Sequence, residues 1–210
     1  MLHVLSSFVT LAQLAIVPTI TRVAPLRTIP LDTTITAAKL SGVAVNLEAG
    51  GTVHIVGGTS NVVRVQVTDH GKRCDDCIVT VTQLQNAISV RTGRANTAAA
   101  PSADLQIQID VPTQTNILLT SAGGQVEIEG IDGFVSGETE FGALHLLRLS
   151  GAVRLETKRG DVTLRQSYVK GSVHTNAGRV LLEDVNGDIQ GTSSNGGVIE
   201  RRVERVSAAP

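Results

Sequence analysis

The sequence has no tryptophan, one tyrosine and three phenylalanines in 210 residues. So few rings argue against the stacking platforms used by sugars and bases, which depend on exposed aromatic faces. A basic field is missing as well. Lys and Arg number 18 against 19 Asp and Glu, so nothing gathers phosphates and nucleic acid is not an expected partner. Proline is absent from Thr113 through Ala209, which suits consecutive strands whose ladders need every amide hydrogen. Phosphate loops, zinc-hydrolase helices and dinucleotide fingerprints are lacking too. The run Ala122-Gly-Gly-Gln125 falls between strands, not before a helix.

Cysteine is scarce: Cys74 and Cys77, in Arg73-Cys-Asp-Asp-Cys-Ile78, are the full complement. A redox pair usually opens a helix, whose N-terminus lowers the first thiol's pKa. This pair instead runs into Ile78-Val-Thr-Val-Thr82, which reads as a strand. Asp69 and His70 would have to complete a zinc site, yet one short loop seldom supplies four tetrahedral ligands. A local disulfide between Cys74 and Cys77 is expected, with two free thiols as the alternative. No cofactor or metal is expected.

Long apolar runs are also few. Leu2–Val17 is interrupted by Ser6, Ser7, Thr10 and Gln13, and is shorter than the roughly 20 residues of a membrane span. Residues 1–24 read as a signal peptide or N-terminal anchor, although His3 stands where Lys or Arg is usual. A truncated or misassigned start is the alternative. The signal reading makes the protein extracytoplasmic: periplasmic, secreted or at the cell surface. No membrane span is expected beyond that anchor.

What the chain does have is a repeat. Gly124, Gly142, Gly160, Gly178 and Gly196 stand 18 residues apart. Two residues after each of the first four come Val126, Leu144, Val162 and Val180, and four after come Ile128, Leu146, Leu164 and Leu182. Further columns hold Ile131, Leu149, Ser167 and Val185, then Val135, Val153, Gly171 and Ile189. Three residues before the glycines stand Ser121, Thr139, Thr157, Thr175 and Ser193. Steps between columns are even within a run and odd at two corners, so each unit is two short strands joined by turns. Eighteen residues are too few for a strand–helix–strand unit of about 30. The expected fold is all-β: a β-solenoid of about 18-residue coils over 121–200, with aliphatic ladders and a Ser/Thr ladder inside.

The third unit strays. Val169-Lys-Gly171-Ser-Val173 resembles Leu149-Ser-Gly151-Ala-Val153 displaced by two positions, which keeps Val169 and Val173 facing inward. Ser167 and Tyr168 are expected to bulge outward. Residues 25–120 read as irregular β-strands, near 43–47, 52–56, 62–67, 78–82, 87–91 and 105–111, covering the N-terminal end of the array. Gly51-Thr-Val-His-Ile55 echoes Gly124-Gln-Val-Glu-Ile128, so a diverged unit starts there. Residues 91–103 read as a small-residue loop. Glu200 breaks the aliphatic column, and residues 201–210 read as a charged cap or tail.

The succession Leu105-Gln-Ile-Gln-Ile-Asp-Val-Pro112, then Thr120-Ser-Ala-Gly-Gly-Gln-Val-Glu-Ile128, then repeated Gly-x-Val-x-Leu and Val-x-Gly-x-Val, resembles the bacterial putative-adhesin family of β-strand repeat proteins over residues 40–200. The resemblance implies a β-solenoid-like fold behind a signal peptide or anchor, no established catalysis, and no functional residues to carry over.

Candidate chemistry is thin. His3, His54, His70, His145 and His174 are scattered. Glu138 and Glu156 share a column and would lie one strand apart, as a glycosidase or calcium pair can; with Lys158 near, they read as surface charge. Arg165 and Glu183 form an expected cross-strand salt bridge. The Ser/Thr ladder lacks a histidine at its corner and reads as structural. The expected function is a non-enzymatic structural or adhesin-like module. It presents columns such as Ser136, Arg154, Ser172 and Gln190 to a protein or cell-envelope partner. A self-assembling cytoskeletal solenoid and a polysaccharide-acting β-helix enzyme are the alternatives.

Overall fold

The computed structural model describes residues 30–36, 40–69, 77–94 and 105–205. The first half contains β1 (Leu31–Thr36), β2 (Gly42–Leu47), β3 (Thr52–Gly58), β4 (Val62–Asp69), β5 (Cys77–Leu84), β6 (Ala87–Arg94), β7 (Leu105–Pro112) and β8 (Asn116–Ser121). The second contains β9 (Val126–Glu129), β10 (Asp132–Phe141), β11 (Leu144–Leu147), β12 (Ser150–Arg159), β13 (Val162–Ala177), β14 (Val180–Asn186), β15 (Ile189–Asn195) and β16 (Val198–Glu204). All sixteen belong to one mixed sheet that does not close, and the described residues include no helix. The all-β class expected from the periodicity is found.

The repeat spacing is the pairing register. In a first ladder, β11 lies parallel between β9 and β13, with Leu146 opposite Ile128 and Leu164. Farther along, Leu164 faces Leu182 of β14. In a second ladder, β12 lies parallel between β10 and β13, with Val153 opposite Val135 and Thr157 opposite Thr139 and Thr175. One strand joins the two ladders: β13 runs through both and turns at Gln166, whose φ is 49°. The inward residues of both ladders form one apolar cluster. Each buried Leu, Ile or Val contributes about 1.5–3 kcal/mol, so strict alternation over many short strands accumulates into a core that, among the described residues, holds no aromatic ring.

Two corners make the turns possible. At the first, Gly51 and Gly124, Gly142, Gly160 and Gly178 all have positive φ. A β-carbon on Gly124, Gly142, Gly160, Gly178 or Gly196 would lie within about 2.2 Å of the carbonyl oxygen of the glycine one rung before it. The backbones therefore touch where the column stacks, and only glycine fits. The second corner is not visible as a residue type. Gly130, Arg148, Gln166, Asp184 and Arg202 recur at the repeat spacing, all with φ of 49–68°, a left-handed conformation uncommon outside glycine. Arg202 bonds Asp184 there, and that hydrogen bond holds the Asp184 carboxyl below its ordinary pKa.

The third unit keeps the common register instead of slipping. Val169 lies opposite Gly151, and Gly171 opposite Val153. Val169 and Val173 are buried and Tyr168 is exposed, as expected. Ser167 differs from the expected bulge, because it is buried in the column of Ile131, Leu149 and Val185. Its hydroxyl donates to the Arg165 carbonyl at 2.7 Å and accepts the Leu149 N–H at 3.0 Å. Those two bonds let a polar group occupy an apolar column.

In the first half, β3 sits between β7 and β9, with Val53 opposite Val126 and Ile55 opposite Ile128, so the segment that echoes Gly124–Ile128 lies in register beside it. Meanwhile β2 sits between β6 and β8. Segments distant in sequence thus interleave at this end. Antiparallel strands finish it: β4 beside β7, β1 beside β4, and β5 beside β6. Strand β6 continues to Arg94, so the first residues of the expected 91–103 loop are strand. Its remainder, residues 1–24, His70 and Cys74 lie outside the described residues. Cys77 opens β5 and is disulfide-bonded.

At the other end, the charged run from Arg201 is not a tail. Strand β16 carries it to Glu204, parallel to β14. Glu200 occupies the inward column opposite Leu182 and is paired with Arg205 at 2.6 Å.

Candidate functional site

The Ser/Thr ladder lies inside the protein. Ser121, Thr139, Thr157 and Thr175 are buried, and Ser193 is half-buried at the last rung. Ser193 and Thr175 donate to the carbonyls of Gly178 and Gly160 at 2.8 and 2.9 Å, and Ser121 to that of Gly123 at 3.0 Å. The hydroxyls of Thr139 and Thr157 have no hydrogen-bond partner among the described residues. The ladder is therefore packing around the glycine corner, not a surface. Two substitutions should separate its members: Thr175→Val is expected to cost about 1 kcal/mol, one hydrogen bond. Thr157→Val is expected to be neutral or stabilising, because it removes a buried hydroxyl that bonds nothing. Thermal melts of both variants check this.

Strand alternation points the intervening residues of the second ladder outward. One column holds Leu118, Ser136, Arg154, Ser172 and Gln190 in register across five strands. The next holds Thr120, Glu138, Glu156, His174 and Thr192. A cavity of about 480 Å³ opens over these columns, lined by Leu118, Ser136, Glu138, Arg154, Glu156 and His174 among others. Because β-strands hold these groups, their spacing is fixed at about 4.8 Å between rungs.

The electrostatics balance over short distances. Glu138 and Glu156 lie on adjacent strands, as expected from the column. Lys158 bonds Glu140, and that bond, with the fields of Glu140, Glu138 and Glu156, raises its pKa. The carboxylate pair thus faces a fixed ammonium. His174 is held at both nitrogens: Nδ1 is 2.7 Å from the Thr192 hydroxyl and Nε2 is 2.9 Å from Asn176 Oδ1. An amide oxygen only accepts, so the Asn176 contact is donated by the ring's Nε2–H. This bonding locks the ring upright on the face.

The outer surface of the first ladder is built differently. Arg165 bonds Glu183 at 2.9 Å, the expected bridge, and Arg201 adds a second contact at 3.6 Å. Across three successive strands stand His54, Glu127 and His145. His54 Nε2 is 3.9 Å from both Glu127 and Glu129. His145 and His174 lie on different ladders, so they do not meet. Among the described residues, no three His, Cys, Asp or Glu converge as a metal site would require.

One reading from composition needs correcting. The rings are few, but Phe134, Phe141 and Tyr168 are 46%, 40% and 63% exposed. Scarcity therefore does not remove stacking surfaces, because none of these three serves the core. The signal was in the repeat: Phe134 precedes inward Val135 and Tyr168 precedes inward Val169, so alternation places both outside.

No protein-family model matches the chain, and no curated protein matches it. Two solved structures show a loose likeness. A "putative cell adhesion protein" from Clostridium sporogenes is 6% identical with a TM-score of 0.31, over 82% of this chain and 99% of that one. A "putative adhesin" from Parabacteroides merdae is 10% identical with a TM-score of 0.26, over 84% of this chain and 96% of that one.

Proposed function

We propose that the chain is a non-enzymatic, extracytoplasmic β-solenoid module that holds a protein or cell-envelope partner on the outer surface of its second ladder. One observation carries the reading. The columns Leu118–Gln190 and Thr120–Thr192 form a continuous field of alternating donors, acceptors and charges, fixed by in-register strands over a dry core. Such a surface needs no reorganisation to bind, which keeps the ordering cost low. Its mechanism is complementarity of shape and polarity.

Growth into a cytoskeletal filament is disfavoured by Glu200, an exposed charge that stands opposite Leu182 in the aliphatic column on the last described strand. Charges of this kind block the addition of another strand.

The test is binding of the purified full chain to intact bacterial cells and washed envelope fragments by co-sedimentation. Saturable binding is expected, abolished by Ser172→Arg on the second ladder and retained by Thr163→Arg on the first. Absence of binding, or equal loss in both variants, overturns the assignment to this face.

A further inference from the structure

Leu118 is 56% exposed and, with Phe134 and Tyr168, it makes a diagonal of outward apolar groups along one margin of the second ladder. Leu118 lies opposite Ser136, two residues from Phe134, while Phe134 lies opposite Ala152, which in turn faces Lys170, two residues from Tyr168. Strand spacing places Phe134 about 8 Å from Leu118 and about 12 Å from Tyr168. The backbone under each ring is pinned. Asn116 Oδ1 accepts the Phe134 N–H at 2.9 Å, and the Leu149 carbonyl accepts the Tyr168 N–H at 2.8 Å. At the far margin Phe141 is already covered, with the Arg159 guanidinium 4.5 Å from its ring centre. Phe134 and Tyr168 carry no such cover among the described residues.

Beside Tyr168 is a cavity of about 420 Å³ bordered by Ser150, Lys170 and Asp188, with Gly151 and Gly187 also in its lining. Neither Lys170 nor Asp188 is in an ion pair among the described residues. A ring, an ammonium, a carboxylate and a hydroxyl thus surround one shallow space. An apolar peptide would strip water from the two charges without replacing it. A nucleic acid would meet no basic field. A carbohydrate satisfies all four groups, with its C–H face on the ring and its hydroxyls giving and taking hydrogen bonds.

Resting on the surface-binding reading above, we infer that this margin is an oligosaccharide-binding subsite in which Tyr168 and Phe134 stack separate sugar units. The strand positions that carry the two rings lie about 12 Å apart, more than one monosaccharide spans, so the ligand is a neutral glycan of several units. Ser136 and Arg154 lie beside its path.

Tyr168 is the single tyrosine and tryptophan is absent, so intrinsic tyrosine emission reports this ring alone. The full chain is titrated with cellohexaose and chitohexaose, with glucose as the monomer control, by tyrosine fluorescence and calorimetry. At least one hexamer is expected to shift the emission saturably and to bind at least tenfold more tightly than glucose. Phe134→Ala is expected to weaken it about tenfold, the scale of one aromatic contact, and Phe141→Ala to leave it unchanged. Thermal melts confirm that both variants fold. A hexamer that binds with unchanged emission and ignores Phe134→Ala overturns the subsite. So does silence from both hexamers while envelope binding sensitive to Ser172→Arg persists, which means a protein partner on a functional face. Loss of envelope binding as well overturns the broader reading with it.

Discussion

Gly142→Ala should lose at least about 4 kcal/mol of stability, or fail to fold, the range reserved for severe backbone conflict. A β-carbon there would lie 1.9 Å from the Gly124 carbonyl oxygen, and the residue's φ of 109° is itself hostile to alanine. The obstacle is backbone, which cannot swing aside as a flexible side chain does, and it is fixed by the same contact repeated above and below. Gly93→Ala is the control. Among the described residues nothing lies within 4 Å of a β-carbon at Gly93, so this change in β6 should alter stability by no more than about 0.5 kcal/mol. Chemical denaturation of both proteins makes the comparison. Equal tolerance at the two sites would mean that the glycine corner is not a close contact.

Removal of one whole unit, Gly142–Arg159, should leave a shorter protein that still unfolds cooperatively. Units joined by nearest-neighbour interfaces can lose a member if the new neighbours fit. Here Ile128 would meet Leu164, Thr139 would meet Thr175, and Gly160 would stack on Gly124, all like for like. Leu164→Ala should do more harm than that deletion does to the local packing. The side chain is fully buried between Leu146 and Leu182, and its truncation should cost about 2–5 kcal/mol. Calorimetric melts of the deletion and the point variant check both. An unfolded deletion beside a well-folded parent would overturn the solenoid reading, because a fixed topology cannot lose two strands from its middle.

Much of the second half was legible because its physics is periodic. Once Leu146, Leu164 and Leu182 fall in one column, burial and register follow together. The left-handed corner at Arg148, Gln166, Asp184 and Arg202 was not legible, since the backbone conformation repeats while the residue type does not. A serine in an apolar column reads as an outward bulge, and only the two local bonds of Ser167 explain its burial. The interleaving of β2 and β3 with β7 and β8 could not be read either. Pairing across such sequence distances leaves no mark in local alternation. On the candidate face, the Glu138–Glu156 column and Lys158 were visible by stacking. The exposure of Phe134 is not visible in a ring count over the whole chain; it follows from the parity of its position beside inward Val135.

The place of β3 between β7 and β9 sets a timetable for the growing polypeptide. Strand β3 is synthesised first, yet both of its lateral neighbours are still to be made. A nascent chain halted at Asp104 holds neither of them, and its backbone amides on both sides can bond only water. Strand β3 must therefore wait for β7 and β9 to give it edges to join, whereas β1 with β4, and β2 and β5 with β6, already have a partner. Any factor that holds the chain unfolded during synthesis has this interval in which to act.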